Sequence, residues 1–493
     1  MLVASYLVAR GAPHRTALGG SSSVNGEGQR SAMDHAMDQQ HHKHEPSRLR
    51  QRRPKPRWWA VGLAGMTGLA LTTVGVAAAA DAARPFPTSA EDRPGKTADH
   101  PGTPDKPATG GHRGKSDEQG KGKKEPKGIP VPCDTDKLIA AITLANARGG
   151  ATLNLASKCT YLLTAPIDDA GLPDITTPIT LNGGKHTVIE RAAAVEQFRI
   201  LTVDVGGDLT LNHLTITGGQ TDSDGGGILV NTGGALTTNH STITRNISGG
   251  SGGGIRNNGV ATLNHSTVSR NTAVFGGGIF NSGLLTLTKS QVESNNGSEA
   301  GGIFSLDSMS ATHSVIAHNQ ASDAGGGLLL GSGTHTLTHT RIVHNTAPQG
   351  GGFLINSPGQ VTLEKVLLAD NTATSQSGGG AAVSNGAFLV VRDSTIKKNT
   401  AATNGGGISN SGETVLQQTE VIGNQAGNQG GGINNEATGT LDLIATKVIK
   451  NVAVTDGGGI YNDNGTVNLN TATGTIVVKN RPNNCVNVPG CAG

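Results

Sequence analysis

Aromatic side chains are nearly absent from this chain of 493 residues, which has seven Phe, three Tyr and two Trp. Compact domains draw much of their buried area from aromatic rings, so an ordinary globular core of this length is excluded. The chain must instead bury small aliphatic groups in another geometry, as a solenoid does, or stay disordered. A charge excess of either sign is also missing. The formal net charge is +3, which marks neither a dedicated nucleic-acid binder nor an acidic solvating chain. Without aromatic platforms for base stacking, no nucleic-acid partner is expected. Cysteine is scarce: Cys133, Cys159, Cys485 and Cys491 sit at the two ends of the region after Pro130. That placement suggests two local disulfide clips outside the cytoplasm, although four cysteines allow three connectivities and spacing alone does not choose. Neither pair has the spacing of a tetrahedral zinc site, so no metal is expected there.

The amino-terminal part reads as an address rather than a fold. Residues 1–57 form a polar extension that turns basic at Arg48, Arg50, Arg52, Arg53, Lys55 and Arg57, just before an uncharged stretch from Trp58 to Ala80. The order basic, apolar, small is that of a secretory signal, with Ala80-Asp81-Ala82 fitting the small-x-small cleavage pattern. Because the basic region is long, two alternatives stand: a start at Met33 or Met37, or retention of 58–83 as a membrane anchor. Either way the rest of the chain is expected outside the cytoplasm, with the membrane a partner only through an uncleaved segment. Residues 84–130 are Pro, Gly, Lys, Asp and Thr with almost no aliphatic residue. Such a stretch cannot bury enough surface to offset its ordering entropy, so it is expected to be a disordered linker.

Glycine is abundant, at 74 residues, and it is periodic. Between 206 and 480, glycine runs end at Gly227, Gly254, Gly278, Gly302, Gly327, Gly352, Gly380, Gly407, Gly432 and Gly459, each followed by Ile, Leu, Phe or Ala. An asparagine column keeps step: Asn246, Asn271, Asn295, Asn319, Asn345, Asn371, Asn399, Asn424, Asn451 and Asn480. Self-similarity at such a period is the mark of stacked repeats. Three short alternating stretches per unit, each closed by Gly, Asn or Ser, read as three strands per coil. The expected fold is all-β: a right-handed parallel β-helix of ten to twelve coils, with the hand taken from the general preference of parallel crossovers.

Alternation assigns directions. Ile243, Val268, Val292 and Ile316, three before Asn, and Ser241, Ser266, Ser290, Ser314 and Thr340, five before it, should face inward. The asparagines should pair amide to amide at a corner whose left-handed backbone they tolerate. Glycines supply special backbone conformations and close approach, and with no Lys-Ser/Thr after them they are not phosphate loops. Residues 131–205 should hold an N-terminal cap and first coils, with Leu138, Ile139 and Ile142 at helical spacing within a short capping helix at 136–146. Cys133 with Cys159 would pin that helix, and Cys485 with Cys491 would close a C-terminal cap over 481–493.

The repeat V-x-x-N-x-A-x-x-x-GGGI-x-N-x-G over about 206–480 resembles the right-handed β-helix proteins of bacterial cell surfaces, including the repeats of chlamydial polymorphic outer membrane proteins. The segment from Cys133 to Ile142, followed by Ala145-Asn146 and Tyr161-Leu162-Leu163, is similar to the N-terminal cap of secreted bacterial β-helix proteins. The resemblance implies a surface location and adhesion. The sequence differs in having GGG for GGA and Ile or Val for the Phe before x-x-N.

Chemistry is expected on the surface, if anywhere. Six residues before each Asn, parity points outward at His240, His265, Lys289, His313, His339 and Lys365, with His213 one coil earlier. One residue before Asn come Arg245, Arg270, His318 and His344, followed by Lys398, Lys450 and Lys479. Such basic columns match the repeated charges of an anionic polymer such as a cell-wall polysaccharide, more strongly when histidine is protonated below about pH 6.5. The plainer account is that exposed strand positions simply take polar residues. After the triplets, Phe280, Phe304, Leu329 and Leu354 form an apolar column, read either as an exposed stripe for a surface protein partner or as a strip covered by a loop of the same coil. No catalytic residues and no cofactor are assigned. Acids are scattered at Asp222, Asp224, Asp323 and Asp456, and only the insertion near Asp168, Asp169 and Asp174 leaves room for a glycan-cleaving pair.

Overall fold

The computed structural model describes residues 128–492. The basic extension at 1–57, the export segment at 58–83 and almost all of the linker at 84–130 lie outside those residues. No helix among the described residues is long and apolar enough to cross a membrane.

The described chain is an all-β parallel solenoid. Its strands fall into four sheets of 14, 13, 10 and 12 strands, and in each sheet neighbours come from successive coils. One coil runs through Ala235–Asn239, Thr242–Thr244, Ile247–Ser248 and Ile255–Asn257 before Val260–Asn264 begins the next. These positions are called the broad, second, third and fourth sheets below. Two expectations are corrected. Each coil has four strands, not three, because the stretch after the corner Asn also pairs, as Thr272 does with Ile247 and Asn296. The coils also exceed ten to twelve, as the 14-stranded broad sheet shows. Ile129–Val131, Ala151–Leu155 and Pro178–Asn182 are coil strands that precede the first glycine triplet and corner Asn, so the repeat motif does not reveal them.

The core is the predicted aliphatic stack. Ile243, Val268, Val292 and Ile316 are paired in register and at most 1% exposed. Beside them runs the hydroxyl stack: the backbone N–H groups of Ser241, Ser266 and Ser290 donate to the hydroxyls of Ser266, Ser290 and Ser314 at 3.1 to 3.2 Å. Dry aliphatic walls supply burial, while buried hydroxyls satisfy amides that a corner leaves unpaired.

The asparagine ladder is present, with a correction to its backbone. Each Asn stays out of the left-handed region, and the residue before it takes that conformation instead, for instance Arg270 at φ +56° and His318 at +56°. The Asn side chain then turns inward. Asn271 Nδ2 donates to Asn295 Oδ1 at 3.1 Å and to the Ile243 carbonyl at 3.0 Å. A further buried ladder, Asn410 to Asn435 to Asn462, runs along the fourth sheet.

In the triplet each glycine has its own reason. Gly276 stands at φ +62°. A Cβ on Gly277 would lie 2.1 Å from the Asn296 carbonyl oxygen, so no side chain fits there.

Both ends are closed. The helix Thr135–Ala147, labelled α1, has Asp134 as its N-cap, accepting the Lys137 N–H at 3.1 Å, and buries Leu138, Ile142 and Ala145. Cys133 is bonded to Cys159, and Cys485 to Cys491. At the far end Cys485–Val486 adds a last strand to Ile460–Tyr461.

Candidate functional site

Two corners flank the three-residue strands of the second sheet. The first is occupied by His213, His240, His265, Lys289, His313, His339 and Lys365 and, in later coils, by Asp393, Gln418 and Ala445, all with φ between +48° and +54°. The second holds Arg245, Arg270, Ser294, His318, His344, Asp370 and Lys398, with φ between +53° and +56°. These residues point outward as parity requires, but they are corner residues rather than strand residues. The turn explains why: a chain that changes direction within one residue needs the left-handed region, where long polar residues with solvated tips are tolerated.

The corners are fixed by the backbone. The amides of His240 and His265 donate to Asn264 and Thr288 in the following coil at 3.0 and 2.9 Å. Side chains therefore leave the rod in register. The imidazoles of His213, His240 and His265 stack with centroids 4.8 Å apart, and His313 on His339 at 4.7 Å. At the second corner His318 stacks on His344 at 4.9 Å. Left-handed residues favour Asn and Gly, yet Asn occupies none of these positions, so backbone geometry accounts for polarity and not for the sign of the charge.

The basic residues line two concavities. One of about 540 Å³ is formed where the Gly183–Thr187 turn stands proud of the first corner, lined by Lys185, His186, His213, His240, Thr215 and Thr242. Another, about 580 Å³, lies at the far end of the second corner among Lys450, Lys479 and Arg481. Both are open and carry basic side chains in their lining.

The apolar column is not an exposed stripe. Phe280, Phe304, Leu329 and Leu354 are 2 to 7% exposed and cluster with Ala300 and Ala324. They point outward from the fourth sheet, but the segment that precedes each triplet folds over them. Arg256 closes one end, its guanidinium 4.0 Å from the Phe280 ring centre and its pKa pushed down by burial against the opposing pull of Asp224. The column is a satellite core, so the surface protein partner it suggested loses its site.

At the insertion, Asp169 forms an ion pair with Arg199, a nearly buried side chain whose other nitrogens donate to the Asp224 carbonyl and Ser223 Oγ. Asp174 has its pKa raised, first by burial and then by Asp169, Asp204 and Asp168, against the opposing influence of Thr202. Among the described residues no three His, Cys, Asp or Glu side chains gather at metal-binding distance.

Sequence reasoning missed Arg199 and one buried histidine, His335. The latter is 0% exposed, with neither ring nitrogen hydrogen-bonded. The signal was visible in principle, because His335 stands in register with Met309 and Val361 at an inward position.

No family model matches the chain, so the likeness to polymorphic outer membrane protein repeats rests on the motif alone. No curated protein matches it either. Among solved structures, the chain is similar to the A-module of the mannuronan C-5 epimerase AlgE6 of Azotobacter vinelandii, at 13% identity and a TM-score of 0.33, with 68% of this chain and 87% of that one covered. So distant a likeness says nothing about activity.

Proposed function

We propose that this protein is an exported surface solenoid that holds an extended acidic polymer, such as an anionic cell-wall or extracellular polysaccharide, along its two basic corners. One observation carries the reading: the coils from His213 to Lys365 present His or Lys at one corner, with stacked rings 4.7 to 4.8 Å apart, beside a second corner where Arg245, Arg270, His318, His344 and Lys398 are basic. A polymer with charges at a comparable repeat meets many weak contacts at once, and multivalency turns these into useful affinity. The two disulfides fit a location outside the reducing cytoplasm. A structural or adhesive role follows from the same binding, since a rod holding a wall polymer is anchored by it.

The test is retention of the full chain on an immobilised acidic polysaccharide and on a neutral one, across a salt gradient. Retention on the acidic matrix alone, weakened by salt and by Arg245→Glu with Arg270→Glu, is expected. Equal retention on both matrices rejects the reading. Release of new reducing ends or unsaturated uronate from the acidic polymer would show a polysaccharide lyase or hydrolase instead.

A further inference from the structure

The broad sheet carries a second outward surface, which adjoins the first basic corner. Parallel pairing sets Thr180, Thr210, Thr237, Thr262 and Thr286 in one column, and the run continues through Ser310 to Thr362. The residues on either side of each in the strand, such as Leu209 and Leu211, are fully buried, so the threonines face out. Two residues further along each strand is a second rank, with Asn182, Asn212, Asn239 and Asn264 followed by threonines at 288, 312 and 338.

The asparagines of this rank are hydrogen-bonded to one another at 2.7 to 3.0 Å, which holds their amides in file. Among the described residues, no protein group bonds the hydroxyls of the first rank. Their coil repeat is that of the adjoining corner, where rings of successive coils lie 4.8 Å apart. The ranks are separated by two strand residues, about 6.7 Å. From Thr180 to Thr338 neither rank contains a charged residue.

We propose that this face binds the surface of ice. The two repeats lie close to the oxygen spacings on a prism face of hexagonal ice, so hydroxyls and amides hold water molecules in a file that continues the lattice. Threonine methyl groups between them order the intervening water without competing for its hydrogen bonds. Threonine is stiff about χ1, so the array is already organised before it meets the lattice, and little entropy is lost on contact. The lack of charge matters, because an ion would impose its own hydration shell. Each contact is weak, and the number of coils makes the sum large. A crystalline neutral glycan, the other regular surface, is gripped through stacked aromatic rings, and neither rank has one. This inference is independent of the acidic-polymer reading.

The test is growth of an ice hemisphere in a solution of the fluorescently labelled full chain. Incorporation into the ice, with faceting of crystals, is expected. Thr237→Lys with Thr262→Lys should lower incorporation about tenfold, while Glu413→Lys, on the same sheet beyond the run, should not change it. Circular dichroism and melting temperatures of both variants that match those of the parent chain verify their folding without reference to the acidic polymer. Exclusion of the chain from ice overturns the proposal, as does equal incorporation of the double variant. Capture by crystalline cellulose or chitin together with exclusion from ice would reassign the face to a glycan.

Discussion

Asn295 Oδ1 accepts both the backbone N–H of Asn271, at 3.0 Å, and its side-chain amide, at 3.1 Å, so one buried oxygen closes the corner of the preceding coil. Asn295 in turn donates to the Val268 carbonyl at 2.9 Å and to Asn319 Oδ1 at 3.0 Å. Removing it leaves the Asn271 N–H without its acceptor in a dry interior. Asn295→Ala is expected to cost about 3 kcal/mol. Denaturant unfolding measures it, and a loss below about 1 kcal/mol would mean that water or relaxation replaces the rung. Hydrogen exchange should rise mainly in adjacent coils, because solenoid coils contact only their neighbours.

His335 makes folding sensitive to acid. Burial pushes its pKa down, against weaker opposing influences of the Gly331 backbone and the Asp307 carboxylate. The unfolded chain therefore takes up the proton at a higher pH than the folded one. The stability is full above the ordinary imidazole range near pH ~6.5 and falls as the pH drops through and below it. His335→Met, the residue that stands at this position one coil earlier, should raise the melting temperature and reduce its decline between about pH 7 and about pH 5. An unchanged acid slope in that variant would assign the effect to other groups.

The cap depends on its disulfide. Cys133 and Cys159 are separated by 26 residues, and the bond ties the start of α1 to the strand entering the first coils. Cys133→Ser with Cys159→Ser should lower stability by about 2 to 4 kcal/mol. Amide protection should drop first in Thr135–Ala147, with the coils beyond Gly206 retaining theirs. Uniform loss along the whole rod would show that the cap and the rod unfold as one unit.

The sequence by itself determined the solenoid. A coil must stack like on like, so its inward residues repeat with the coil, and Val268, Val292 and Ile316 announce their contact from a distance of one period. The asparagine ladder and hydroxyl stack were legible for the same reason, as was the outward direction of the His and Lys columns. The tertiary structure alone decided what parity cannot express. It showed that His240 and Arg245 are corner residues and that a fourth strand follows each Asn. It also covered Phe280 and Phe304, because alternation tells which side of a strand a residue faces but not whether another segment lies over that side. The threonine face belongs to both: its residues stand in plain sight in the sequence, but only the register of the broad sheet brings them into one plane.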